Sequence, residues 1–242
     1  MADGRRSSAD LKQASDVGKK AALEGLPSEA TSAYGELLAD GRLGDAPSAL
    51  LKAYERIVAS LESGGTLYLC GNGGSMADAL HISGELLKSF ALPRPVPASL
   101  SSRLANLPHG DDLAKHLQRG LRVHVLGANP ALASAVANDV SLRGMVLAQE
   151  LYALGRAGDV LLALSTSGSS LNVLRAVALA RALGVTAIGL TGRAPNPLSD
   201  LADIAVNVPR DRTDEVQELH QVLYHRLCLM LEAYFVARWS EA

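Results

Sequence analysis

Apolar residues along this chain change their period partway through. Between residues 28 and 63 they fall at Leu37, Leu38, Leu50, Leu51, Tyr54, Ile57, Val58 and Leu61, the three-and-four spacing of helices that bury one face. The run GRLGDAPS interrupts the spacing, and Pro47 suits the N1 position of a helix, where its missing N–H costs nothing. Two amphipathic helices are predicted. Beyond residue 63 the apolar runs shorten to strand length, at 66–70, 122–126, 160–164, 186–190 and 204–208. Glycine or polar turns bound each run, and longer helical stretches separate them. Strands alternating with helices imply a parallel sheet, and a wholly apolar run such as VLLAL fits a strand covered on both faces. The predicted fold is α/β: a doubly wound, three-layer αβα sandwich around five parallel strands, with an N-terminal helical extension. Residues 1–27 read as a polar arm, and residues 28–242 as one domain.

Composition narrows the function. With 48% hydrophobic residues in a chain of 242 there is ample material for a core. Lys and Arg together number 23 against 25 Asp and Glu, so no basic excess exists to hold a nucleic-acid backbone, and aromatic residues for base stacking are scarce. Cys70 and Cys228 lie in apolar runs, as buried thiols of a reducing compartment do. The N-terminus has no apolar leader, and no segment approaches the roughly 20 apolar residues that span a bilayer. The expectation is a cytoplasmic protein with neither nucleic acid nor membrane as a partner. The proline-rich piece LPRPVP is read as a surface turn.

In doubly wound sheets ligands bind beyond the carboxyl ends of the strands, and two loops sit there. After TLYLC comes GNGGS, Gly71 to Ser75; after VLLAL comes STSGSS, Ser165 to Ser170, opening the helix LNVLRAVALARAL. Glycines let backbone N–H groups crowd an anion at a helix start, and hydroxyls add donors, which suits a phosphomonoester. One hydroxyl suffices to cap a helix; five in six residues exceed that need. Neither loop is followed by the GK[ST] of a nucleotide-binding loop. On the helix after the first loop, His81 and Glu85 share a face at i, i+4, a spacing that holds a metal or moves protons.

The pairing of GNGGS after one strand with STSGSSLNV after a later one resembles the sugar isomerase (SIS) domain family. Within it, CGNGGSMADALHISGEL is similar to the phosphoheptose isomerase signature, and AVAND, LSTSGSSLNVLRA and DEVQELHQVLYH resemble its other segments, over roughly residues 50–232. That resemblance implies an aldose–ketose isomerase acting on sedoheptulose 7-phosphate and D-glycero-D-manno-heptose 7-phosphate through an enediol. It implies a phosphate held by Ser75, Ser165, Thr166, Ser167 and Ser170, and sugar hydroxyls contacted by Asn72, Gly73, Asn138 and Asp139. Glu85 and His225 would be the acid/base pair. Some members bind zinc through positions similar to His81, Glu85, Gln217 and His225, with Gln217 also at the substrate, and the resemblance implies a homotetramer.

Two departures stand out. The family usually carries an arginine shortly after the glutamate, where this chain has Lys88 and Ser89; and residues 98–121 form a longer connection than is common. The second leaves room for an isomerase of another phosphosugar. A non-catalytic sugar-phosphate sensor of the same fold is the reading from a different class, disfavoured because Glu85 and His225 are kept. His109, His116 and His124 are read as ordinary surface or core histidines. Finally, eight residues separate Gln217 from His225, about 12 Å along a continuous helix. Either the helix begins after Gln217, or the two serve sites in different subunits; the second is expected.

Overall fold

The computed structural model describes residues 26–241, so most of the polar arm lies outside the described residues. Helix α1 (Ser28–Ala39) and helix α2 (Ala46–Glu62) flank a short 3-10 turn at Gly41–Leu43. Pro47 is the second residue of α2 rather than the first. Tyr34, Leu37, Leu50, Tyr54 and Ile57 are buried as their spacing requires, while Leu38 turns outward.

All five expected strands form, within a residue or two of their sequence bounds: β1 (Leu67–Cys70), β2 (Val123–Val125), β3 (Val160–Ser165), β4 (Thr186–Thr191) and β5 (Ile204–Asn207). They make one parallel sheet in the order β2-β1-β3-β4-β5. Every residue of β3 is buried, whereas the edge strands β2 and β5 are half-buried, as their positions dictate.

Alternation along β3 divides the core. Val160, Leu162 and Leu164 face one layer, made of α1, α2, α3 (Gly74–Leu87) and the long α10 (Thr213–Glu241). Leu161 and Ala163 face the other, made of α7 (Val146–Leu154), α8 (Leu171–Ala182) and α9 (Pro197–Leu201). The connection from α3 to β2 carries α4 (Ala98–Leu104) and α5 (Gly110–His116), and α6 (Pro130–Asp139) follows β2. Strand order reverses between β1 and β3, the switch point at which such sheets bind ligands.

The segment LPRPVP is not a simple surface turn. Arg94 within it is 2% exposed and paired with Glu232, which is 1% exposed; the partner that draws it inward lies 138 residues away. Cys70 and Cys228 are both free and fully buried, and burial pushes the Cys70 thiol up to about 12. No described helix is long and apolar enough to cross a membrane.

Candidate active site

Both loops singled out by sequence lie at the switch point. Gly71 must be glycine, because a Cβ there would lie 2.6 Å from the backbone of Ser75. Gly73, the residue before α3, has φ +52°, and Gly168 in the second loop has φ +63° with its Cα against the Asn196 side chain. The turns therefore bring the starts of α3 and α8 toward one region without side chains in the way.

Neither helix start is capped from within. Gly73 has no side chain to cap α3, and Ser170, at the N-cap of α8, makes no capping bond. Ser165 Oγ instead donates to Ser170 Oγ at 3.3 Å, and the Ser167 and Ser169 hydroxyls pair at 2.9 Å. The first-turn N–H groups of α8 and a cluster of hydroxyls thus remain for an anion, where the helix dipole adds to the attraction. Ser75 is 4% exposed at the start of α3. Thr166 uses its carbonyl to hold Gly192 N–H at 3.2 Å, tying the loop to the end of β4.

A residue that sequence reasoning passed over joins the two loops. Asn72 Nδ2 donates to Asn172 Oδ1 at 2.9 Å, and Asn172 Nδ2 returns a bond to Asn72 Oδ1 at 2.8 Å. Asn172 stands in the quoted STSGSSLNV, two residues after Ser170; its spacing from the loop was visible, its partner 100 residues away was not. Asn138 and Asp139 bond to each other at 2.9 Å at the end of α6 and make no hydrogen bond to either loop. The chain beyond them does return: a Cβ at Gly144 would sit 3.3 Å from Asn172 Cβ.

Further along α3 is the proton-handling group. His81 Nε2 and Glu85 Oε1 are 3.1 Å apart, confirming the shared face, and the His225 ring lies edge-on to that of His81 with centroids 4.9 Å apart. Behind them, His81 Nδ1 meets the Tyr224 hydroxyl at 3.1 Å, and Tyr224 donates to Asp78 Oδ1 at 3.2 Å. Tyr224 and Asp78 are further residues the sequence did not flag. They orient the imidazole from the side away from Glu85. Burial first, then neighbouring His81, holds the His225 pKa below the usual histidine range. Burial raises Asp78, against the pull of its Tyr224 bond. Lys88 is mostly exposed with Nζ 3.8 Å from Glu85 Oε2.

Gln217 is elsewhere. Helix α10 is unbroken from Gln217 through His225, which removes the option of a helix starting between them. The Gln217 amide packs on Gly74, where any Cβ would overlap it, at the phosphate-loop end of α3. His81, Glu85 and His225 cluster while Gln217 stands two helical turns away, and no group of three or more His, Cys, Asp or Glu side chains among the described residues is arranged to hold a metal. His124 bonds to buried Glu150 at 2.9 Å, an ordinary partner for a histidine at a sheet edge.

Two models of the SIS domain match the chain, over residues 135–237 and 43–115. Phosphoheptose isomerase of Rhodospirillum rubrum is 36% identical over 192 residues, covering 79% of this chain and 88% of that protein. The phosphoheptose isomerase of Thiobacillus denitrificans is 38% identical over 191 residues, covering 76% and 84%. Among solved structures, phosphoheptose isomerase from Neisseria gonorrhoeae aligns with a TM-score of 0.62 at 27% identity, over 92% of this chain and 98% of that one. The enzyme from Francisella tularensis aligns equally well, at 26% identity over 93% and 98%.

Proposed function

The chain belongs to the SIS-domain family, in its phosphoheptose isomerase branch, and from that premise we propose that it interconverts sedoheptulose 7-phosphate and D-glycero-D-manno-heptose 7-phosphate. It is an isomerase of phosphorylated sugars. The observation that carries the finer reading is the pairing of two uncapped helix starts, latched by Asn72 and Asn172, with the His81–Glu85–His225 cluster further along α3 and on α10.

Ketose and aldose differ by one proton moved between adjacent carbons and one between their oxygens. The Glu85 carboxylate takes the proton from the carbon beside the carbonyl, leaving an enediol, and returns it to the neighbouring carbon. His225, whose pKa burial holds below the usual histidine range, donates its N–H to the developing oxyanion and relays the hydroxyl proton. Ser75, Ser165, Thr166, Ser167 and Ser170 hold the phosphate, while Asn72, Gly73, Asn138 and Asp139 meet the sugar hydroxyls.

Distance argues for a site shared between copies. Ten residues of α3 separate Ser75 from Glu85, about 15 Å at helical rise, more than a heptose phosphate comfortably bridges within one chain. Exposed Leu80 and Leu87 flank His81 and Glu85 on α3 and suit burial by a second copy. A homotetramer in which the phosphate loops of one chain meet the acid/base residues of another satisfies both. Imidazole, carboxylate and amide donors suit zinc chemically. His81, Glu85, Gln217 and His225 would hold it only if more than one copy contributes, since Gln217 lies apart from the others within a chain. When bound, the ion supplies Lewis-acid stabilisation of the oxyanion.

The test is to mix purified protein with sedoheptulose 7-phosphate, with and without zinc, and follow the aldose by NMR. Formation of D-glycero-D-manno-heptose 7-phosphate is expected; conversion of a different phosphoketose with none of this one would overturn the heptose assignment.

A further inference from the structure

A fully buried arginine in a proline-rich loop needs a structural reason. Arg94 Nε donates to Glu232 Oε1 at 2.8 Å, Nη1 to the Leu86 carbonyl at 2.9 Å and Nη2 to the Glu85 carbonyl at 3.3 Å. Those carbonyls belong to the last turn of α3, which lacks helical partners and carries no basic residue of its own. Arg94 therefore supplies both the missing donors and the positive charge that a helix C-terminus favours. Glu232, on α10, accepts from Arg94 and also from the N–H groups of Phe90, Ala91 and Leu92 at 2.8, 2.7 and 3.1 Å. One carboxylate thus winds the whole loop after α3 around itself. Each member of this pair is at most 2% exposed.

A buried ion pair is a poor source of net stability, because desolvating both charges consumes most of the Coulomb gain. Its yield here is geometric. The fork of Arg94 grips the backbone of Glu85 itself, and its other end is fixed to α10 two turns beyond His225. Lys88, exposed, reaches only the Ser89 carbonyl at 3.0 Å and Glu85 Oε2 at 3.8 Å and makes no link to α10.

We propose that Arg94 is a positioning residue for the reaction, setting the placement of the Glu85 carboxylate relative to His81 and His225 through the Glu85 carbonyl and Glu232. The inference rests on the reading of Glu85 and His225 as the acid/base pair. The arginine touches no reacting atom; it acts through the last turn of α3. The arginine expected just after the glutamate, and absent there, is distinct from this one, which works from behind the helix.

The informative variant is Arg94→Met combined with Glu232→Gln, which leaves no unpaired buried charge and keeps an acceptor for the three loop N–H groups. Its melting temperature should stay within a few degrees of wild type and KM within threefold, because the phosphate loops are untouched, while kcat falls about 10- to 100-fold as the carboxylate loses its placement. Arg94→Lys keeps the charge beside Glu232 but loses the planar fork, and should show the same kcat loss with a folded protein should the double variant fail to fold. A second readout needs no turnover: the His81 ring signals in imidazole 1H–15N spectra of the free protein should shift in both variants and stay in place in Tyr54→Phe, a control elsewhere in the core. A folded variant with wild-type kcat, or with unshifted His81 signals, overturns the proposal. A wild type that isomerises no phosphoketose would sink the functional reading instead, and the His81 spectra would still decide whether Arg94 places Glu85.

Discussion

Replacing Ser167 and Ser170 together with alanine separates a phosphate site from a capped helix. Ser170 occupies the N-cap of α8 yet makes no cap bond, so its loss should not incur the usual capping penalty of about 1 kcal/mol. What the free protein loses is the Ser167–Ser169 hydroxyl bond at 2.9 Å, the Ser169 N–H bond to Ser167 Oγ at 3.3 Å and the Ser165–Ser170 bond at 3.3 Å. The last two are long and weak, and stability should fall by about 0.5 kcal/mol, or roughly 1–2 °C in a chain of this size. Binding is another matter. Each hydroxyl bond to a charged phosphate contributes about 1.5–3 kcal/mol, hence about 3–6 for the pair, from which the same roughly 0.5 is subtracted for the hydroxyl–hydroxyl bonds given up on binding. The remaining roughly 2.5–5.5 kcal/mol corresponds to about a 60- to 10⁴-fold loss in kcat/KM for the phosphosugar. Steady-state kinetics beside a thermal melt reads both quantities. A drop of several degrees with kcat/KM changed less than threefold would mean that the serines cap the helix and the phosphate binds elsewhere.

Chains carrying Glu85→Gln and chains carrying Ser167→Ala with Ser170→Ala, each impaired alone, should regain partial activity when co-assembled, because some sites then pair intact phosphate loops from one chain with the intact acid/base cluster of another; failure in verified mixed oligomers, or a fully active monomer, would refute the shared site. A separate expectation concerns pH. Burial pushes His220 down to about 4, against a smaller upward pull from the Thr191 backbone, and neither ring nitrogen makes a well-formed hydrogen bond. The unfolded chain, with an ordinary histidine pKa near 6.5, binds this proton first, so stability is full above about pH 6.5 and is lost as pH falls toward 4. Between pH 7.5 and 5 the loss from this residue is about 2 kcal/mol; urea midpoints should show it in wild type and not in His220→Gln, and equal losses in the two would discount the buried imidazole.

The sheet was legible because its signals are local. Runs such as VLLAL are apolar at every position only when both faces are covered, and glycine turns mark where each strand ends, so five strands and both loops at the switch point could be placed without knowing the strand order. The i, i+4 relation of His81 and Glu85 is equally local, and the structure keeps it. Asn172, Tyr224, Asp78 and Arg94 were not found, because each owes its role to a partner 100 or more residues distant, and no periodicity encodes such a contact. The proline-rich segment was read only in part for the same reason: Pro93 and Pro95 are exposed as a surface turn requires, while Arg94 between them turns inward to Glu232. For Gln217 and His225, helix arithmetic alone gave the separation that the unbroken α10 preserves.

The central claim is that Glu85 moves a carbon-bound proton on a phosphoketose. The direct measurement is NMR of sedoheptulose 7-phosphate in deuterated water with wild type and with Glu85→Gln. Wild type should form the aldose and exchange deuterium into the reacting carbons, while Glu85→Gln still binds the sugar phosphate but turns over about 10²- to 10⁴-fold more slowly, the usual cost of losing a positioned base. Wild-type turnover in Glu85→Gln would contradict the account.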